Sequence, residues 1–201
     1  MKPSVGKNRK RQIGKDHNVI MMLTLVLADC EVEIGPERID PKRSKPEMLH
    51  YPLLLSQDSG LAEERELRTI VHTTDGKVFQ FESDAYIPDS VEKFKKLLIE
   101  TNKGNSSPQG VQVLEKGLIE TLDDQFGEKI VMTPKGKKED PTDLFSRTED
   151  YIVVIGGFSE GDFESPVYQW ADRKVSISER MMKPWSVTAE ILVGYRYCSL
   201  E

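Results

Sequence analysis

The chain has 201 residues, 37% hydrophobic and 31% charged, with 14 glycines and 11 prolines, a composition that excludes a collagen, a disordered chain and a disulfide scaffold. By surface scaling a chain of this length buries roughly 70% of its extended surface in one core, so a second independent enzyme domain is excluded too. The formal net charge of −6 hides an asymmetry: residues 1–15 hold six bases and no acid, leaving 22 bases against 34 acids, or −12, on the rest.

Taken in chain order, residues 1–17 read as a basic flexible tail that can touch phosphates, and 18–201 as a single domain. Val19 to Ala28 is apolar over ten residues without alternation. A membrane helix needs about 20, so this run reads as a strand covered on both faces of a parallel sheet. No small-x-small cleavage pattern follows it, so secretion is not expected. Met48 to Leu55 is a second apolar run, read as a strand confined to Met48–Tyr51 because Pro52 would interrupt its ladder. Thr69 to Phe81 is expected to be a hairpin around Asp75-Gly76. Ser90 opens a helix whose apolar face is Val91, Phe94, Leu97 and Leu98. Ser107-Pro108 reads as the start of the next helix, with Val111, Leu114, Leu118 and Leu122 on its stripe. Glu128–Met132 is a short strand, turned away at Thr133-Pro134-Lys135-Gly136. Thr142 to Ser146 reads as one helical turn. Tyr151–Ile155 and Val175–Ile177 are further strands, and Ser186–Tyr197 has the length of a closing helix. Alternating β and α segments predict a three-layer α/β sandwich with a mostly parallel sheet.

Cys30 and Cys198 are the only cysteines. They give neither a framework nor a Cys-x-x-Cys site, which points to a reducing, cytoplasmic setting. His17, His50 and His72 are too scattered for a metal site, and His72 reads as a packed or hydrogen-bonded strand residue. The segment Asp150 to Glu160 is a hydrophobic strand running into Gly156-Gly157, the place where an α/β sheet exposes bare backbone to a ligand. A Gly-Gly there is equally compatible with a plain turn. Gly157-Phe-Ser-Glu-Gly161 has the spacing of a nucleophile elbow, but Gly161-Asp-Phe-Glu-Ser-Pro166 is a poor helix start, which argues against a hydrolase. Trp185, with Met181 and Met182 before it, fits either an adenine-binding wall or core.

The motifs after residue 20 together resemble, in order, the pseudouridine N-methyltransferases of small-subunit ribosome biogenesis, a family of the trefoil-knotted SPOUT methylases. Leu25–Ala28 with Glu31, Glu33, Pro36 and Glu37 resembles its first strand. Lys45-Pro-Glu-Met-Leu-His50 is similar to its Arg-Pro-Asp-Ile-Ile/Val-His motif. Leu67–Thr73 with Asp75 resembles its hairpin, and Ile87-Pro88 with Phe94 falls in its Arg-rich segment. Met132-Thr-Pro-Lys-Gly-Lys137, Ile155-Gly-Gly-Phe158 with Gly161, and Val175-Ser-Ile177 followed by Met182 and Trp185 resemble its cofactor loops. The resemblance implies a C-terminal trefoil knot, a homodimer, S-adenosylmethionine as cofactor with no metal, no membrane partner, and small-subunit rRNA as substrate. It places Thr133, Gly136, Gly156, Gly157, Gly161, Ile177, Met182 and Trp185 around the cofactor. It gives Lys45 and Glu47 catalytic roles, and RNA contacts to Lys45, Tyr86 and Lys93, to which the charge of the tail adds Lys7, Arg9, Lys10 and Arg11.

Three departures stand out. A stretch of a few tens of residues is missing between Ile39 and Lys45. Arg-Pro-Asp becomes Lys45-Pro46-Glu47, which keeps the charge signs but loses the bidentate fork. Tyr86 and Asp89 stand where arginines are expected, and lost phosphate contacts weaken RNA binding at any sequence. The alternative to a methyltransferase is therefore an RNA-binding assembly factor with weak or absent catalysis.

Overall fold

The computed structural model describes residues 21–104, 108–146 and 148–200. The basic tail, with Lys7, Arg9, Lys10 and Arg11, lies outside them. The chain runs β1 (Leu23–Cys30), α1 (Glu47–Gln57), α2 (Gly60–Glu63), β2 (Leu67–Thr73), β3 (Val78–Phe81), α3 (Val91–Asn102) and β4 (Val111–Leu114). It continues through α4 (Leu118–Asp123), β5 (Glu128–Lys138), a 3₁₀ turn (Pro141–Asp143), β6 (Tyr151–Gly156), α5 (Val167–Trp170), β7 (Arg173–Ser176) and α6 (Pro184–Leu200). The seven strands form one sheet in the order β4-β3-β2-β1-β6-β5-β7. The ladders β1–β2, β1–β6, β5–β6 and β5–β7 are parallel, and only the β2–β3 and β3–β4 pairs are antiparallel.

β1 is buried along its whole length, as the unalternating run requires of a strand covered on both faces. Its odd residues Leu23, Leu25 and Leu27 face a core completed by Leu49 and Leu53 of α1, Phe94 and Leu98 of α3, and Ile191 and Tyr195 of α6. Val26 and Ala28 face the opposite core, with Leu118 and Leu122 of α4 and Val167 of α5. These are the three expected layers. After β7, α6 comes back against α1 and the 3₁₀ turn in the β5–β6 connection. Gly194 of α6 lies so close to that turn that a Cβ would sit 2.4 Å from the Pro141 carbonyl. This passage of the C-terminal segment past an earlier connection is the knotted half of the fold.

Several expected elements differ. Met48–Leu55 is helix, not strand: Met48, Leu49, His50, Pro52, Leu53 and Ser56 are its buried residues, and the spacings of three and four among them are those that a helix puts on one face. The ring of Pro52 forgoes one intrahelical bond, and Ser56 Oγ donates to the Pro52 carbonyl at 2.8 Å. Val111–Leu114 is a strand paired with β3 rather than the first turns of a helix. Gly110 precedes it at φ +75, a left-handed backbone that breaks a helix, and the helix begins only at Leu118. β5 runs on through Thr133–Gly136 to Lys138, its register with β7 jumping between Met132 and Lys137. The expected turn is thus a bulge within one strand. The expected turn at Thr142–Ser146 is the earlier 3₁₀ turn, with Leu144 and Phe145 buried just after it.

Candidate active site

The β5 bulge and the loop after β6 leave a cleft between them at the carboxyl ends of the strands, where open α/β sheets place ligands. The cleft, about 130 Å³, is lined by Met132, Ile155, Phe158, Ile177, Met182 and Val187 on its apolar side, and by Thr133, Lys135, Asp162 and Tyr168 on its polar one. A dry cavity of about 150 Å³ takes one benzene ring, so the enclosed part fits a flat ring and the rest of a larger ligand lies toward the mouth. Gly156 and Gly161 both line it. At Gly156 a Cβ would stand 2.5 Å from the Phe158 ring, so the missing side chain is what lets that ring fold back as a wall. Gly161 sits at φ +98 with open space where a Cβ would be, giving a bare backbone turn at the cleft.

The polar side is a closed network. Lys135 Nζ donates to Asp162 Oδ2 at 2.6 Å, and Tyr168 OH lies 2.6 Å from Asp162 Oδ1 and 2.9 Å from Thr133 Oγ1. The hydrogen bonds from Lys135 and Tyr168 hold the Asp162 carboxyl below the usual carboxylate range. Burial, then the Asp162 acceptor, push the Tyr168 phenol up. Phe163 packs edge-on to both Phe158 and Tyr168, so the loop carrying Gly161 and Asp162 is wedged between the two walls.

The sheet end below this loop is fixed by Asp29. Its Oδ2 accepts from Glu164 N–H at 2.9 Å, Ser165 N–H at 3.0 Å and Ser165 Oγ at 2.8 Å, while His72 Nδ1 is 3.0 Å from Oδ1. His72 is the hydrogen-bonded strand residue expected. Ser165, Asp29 and His72 do not make a nucleophile relay, because the serine hydroxyl donates to the carboxylate and not to the imidazole.

From the other side, Lys45 reaches the same loop. Its Nζ is 3.3 Å from Glu31 Oε1 and hydrogen-bonds Ser159 Oγ, beside Phe158. No helix begins directly after Ser159, the next one starting only at Val167, and an ammonium offers the serine no lone pair, so the elbow-like spacing carries no hydrolase site. Glu47 begins α1, partly exposed and without a side-chain partner among the described residues. His50 Nε2, three residues on, donates to the Pro88 carbonyl at 2.7 Å, and its ring stacks on Phe94 at 4.7 Å. That bond ties the 85–89 segment to α1. Tyr86 on this segment is 68% exposed, and Lys93 is exposed in the first turn of α3.

Of the eight residues expected around a cofactor, Thr133, Gly156, Gly161, Ile177 and Met182 come together in the cleft; Gly136, Gly157 and Trp185 stand outside its lining. At Gly136 a Cβ would meet Val175 N at 2.5 Å, and at Gly157 it would meet Cys30 Sγ at 2.2 Å. Both glycines serve close backbone packing behind the cleft. Trp185 is half-buried and packs edge-on to the exposed Tyr51 of α1, centroids 5.5 Å apart, outside both the cleft lining and the buried core clusters. Asp29, Asp162 and Tyr168 escape sequence reasoning because their partners lie outside any local motif; only the acidic loop after Gly161 hints at Asp162. Among the described residues no group of three or more His, Cys, Asp and Glu gathers as a metal site, and no helix is long and apolar enough to cross a membrane.

A knotted α/β sheet with a glycine-walled apolar cleft in its C-terminal half defines a SPOUT-type methyltransferase fold. Residues 25–196 match the EMG1/NEP1 methyltransferase family, and the chain belongs to it. It is 32% identical over 161 residues to the ribosomal RNA small subunit methyltransferase Nep1 of Thermoplasma volcanium, covering 77% of this chain and 71% of that one. With the Nep1 of Methanothrix thermoacetophila it shares 27% over 165 residues, 80% of this chain and 73% of the relative. The crystal structure of Archaeoglobus fulgidus Nep1 bound to S-adenosylhomocysteine superposes with a TM-score of 0.76 at 18% identity, covering 90% of this chain and all of that one.

Proposed function

We propose that the protein is a homodimeric methyltransferase that uses S-adenosylmethionine to methylate a ring nitrogen of pseudouridine in small-subunit rRNA. The observation that carries this reading is that one loop, Gly156–Gly161, walls the apolar cleft with Phe158 and meets the Lys45 ammonium at the next residue. The cleft fits the cofactor chemically: Met132, Ile177 and Met182 would exclude water from a flat base, and the backbone at Gly156 and Gly161 would hold its polar parts. When bound, S-adenosylmethionine supplies an electrophilic methyl carbon on a sulfonium. Lys45 stabilises the negative charge that builds on the base carbonyl as the ring N–H proton leaves. Glu47, without a side-chain partner among the described residues, would take that proton or an RNA donor.

Tyr86 offers a stacking face to a base, and Lys93 a phosphate contact. Residues 1–15, with six bases, add salt-sensitive affinity. The exposed faces of α1 and α6, with Tyr51, Leu55, Val193 and Tyr197, support the dimer. Cys30 is a free, buried thiol, which suits the reducing cytoplasm.

The deciding measurement is methyl incorporation from labelled S-adenosylmethionine into pseudouridine-containing rRNA hairpins against the same hairpins with uridine. Incorporation only into the former, reduced at least about 100-fold by Lys45→Glu, is expected. Salt-sensitive RNA binding without incorporation would replace this reading with that of an assembly factor, which the loss of arginines at Tyr86 and Asp89 favours.

A further inference from the structure

We propose that Glu31 and Ser159 are positioning residues that tether the Lys45 ammonium to the cofactor-side loop. This rests on the methyltransferase reading above. Glu31 lies between the two halves of the site and engages both through its backbone and its side chain. Its N–H donates to the Gly157 carbonyl at 3.2 Å, and its carbonyl accepts from Lys45 N–H at 2.6 Å. Its carboxylate takes the Lys45 ammonium on Oε1 and Ser159 N–H on Oε2, at 3.3 and 3.1 Å. Ser159 closes the ring: its hydroxyl accepts from Lys45 Nζ and lies 3.4 Å from Glu31 Oε1.

Three groups thus satisfy one another around a single ammonium, and networks of this kind hold their members better than separate pairs do. The tether is needed because a lysine has four flexible bonds and no planar fork to fix its head. Glu47, the acid nearest in sequence on α1, does not hold Lys45, since it has no side-chain partner among the described residues. The adjoining base Arg43 is engaged elsewhere, 3.6 Å from Glu33. Lys45 keeps half of its side chain exposed, so an RNA base arriving at the cleft mouth can meet the ammonium without breaking the ring.

The tether predicts a specific coupling. In the full chain, Ser159→Ala lowers kcat on the pseudouridine hairpin about tenfold, since misplacing a catalytic group by an ångström costs up to about 100-fold. Glu31→Gln acts in the same direction. Affinity for S-adenosylhomocysteine by calorimetry and the thermal midpoint stay at wild-type values in Ser159→Ala. In a Lys45→Met background Ser159→Ala has no further effect, because its whole contribution passes through Lys45. An equal tenfold loss in both backgrounds, a loss of cofactor affinity, or an unchanged kcat would each overturn the proposal.

A readout independent of turnover is the side-chain ammonium signal in nitrogen-15 NMR, assigned by its absence in Lys45→Met. A protected Lys45 signal in the wild type, lost in Ser159→Ala, is expected, and an unprotected wild-type signal overturns the tether. Protection without any methyl transfer would sink the methyltransferase reading and leave the tether standing.

Discussion

Asp29 shows how much one side chain settles here. It ends β1 with φ +53, a left-handed conformation that Asp and Asn adopt more readily than other residues with a Cβ. It is buried, and its carboxylate fixes the loop at Glu164 and Ser165. Burial pushes its carboxyl up, but the hydrogen bonds from His72 and Ser165 outweigh this and hold it below the usual range. A group whose folded value is depressed stabilises the fold above its unfolded value, near pH 3.9, and that stability is lost as pH falls through the lower folded one. Asp29→Asn keeps the backbone preference and removes the charge. It is expected to cost about 1–3 kcal/mol at neutral pH and to flatten the acid limb of the thermal midpoint against pH. An acid limb as steep as that of the wild type would show that Asp29 is not what the pH acts on. None of this was legible in the sequence, because the residues that make Asp29 acidic lie 43 and 136 positions away along the chain.

At the scale of elements, legibility followed local periodicity and failed where one apolar pattern served two structures. The hairpin Leu67–Phe81 and the helix at Val91 stand where expected because Asp75-Gly76 and the face of Phe94, Leu97 and Leu98 are local signals. Pro52 hid α1, whose buried positions nonetheless follow a helical period. The stripe from Val111 to Leu122 joined a strand and a helix, which the three residues Glu115, Lys116 and Gly117 divide. The glycine-rich loop was found, but its glycines do different work, and this can be tested. Gly157→Ala drives a methyl group into buried Cys30, and overpacking of this kind costs about 1–3 kcal/mol. Gly161→Ala meets no atom within 4 Å and bears only the backbone penalty of a positive φ, about 1–2 kcal/mol. The thermal midpoint of Gly157→Ala is therefore expected to fall with cofactor affinity following it. In Gly161→Ala, affinity for S-adenosylhomocysteine should fall further than stability alone explains. The reverse order would place Gly157, not Gly161, against the ligand.

For the whole molecule, alternation of β and α segments announces a parallel sheet in three layers, yet no local pattern can announce the knot. It depends on the order in which distant segments pass each other, and here only the family resemblance foresaw it. The dimer proposed above would bring two acidic bodies together. Outside the first fifteen residues each carries a formal −12, so like charges oppose a dimer and apolar burial has to overcome them. Tyr51 and Leu55 share one face of α1, Val193 and Tyr197 one face of α6, and the two helices pack together. Helical neighbours four apart lie one above the other, so these four exposed side chains would supply that burial in the proposed dimer. Val193 is 64% exposed in the single chain, so Val193→Glu is expected to leave the monomer's own stability within about 0.5 kcal/mol. In a dimer buried there, the same change sets two unpaired carboxylates against apolar surface. Sedimentation at micromolar concentration should give about twice the 22.9 kDa chain mass for the wild type and the single-chain mass for Val193→Glu. Raised salt should strengthen the wild-type dimer by screening the acidic bodies. A dimer that survives Val193→Glu would move the interface away from α6, and a wild type that sediments as a single chain would leave the exposed faces of α1 and α6 without the second copy inferred for them.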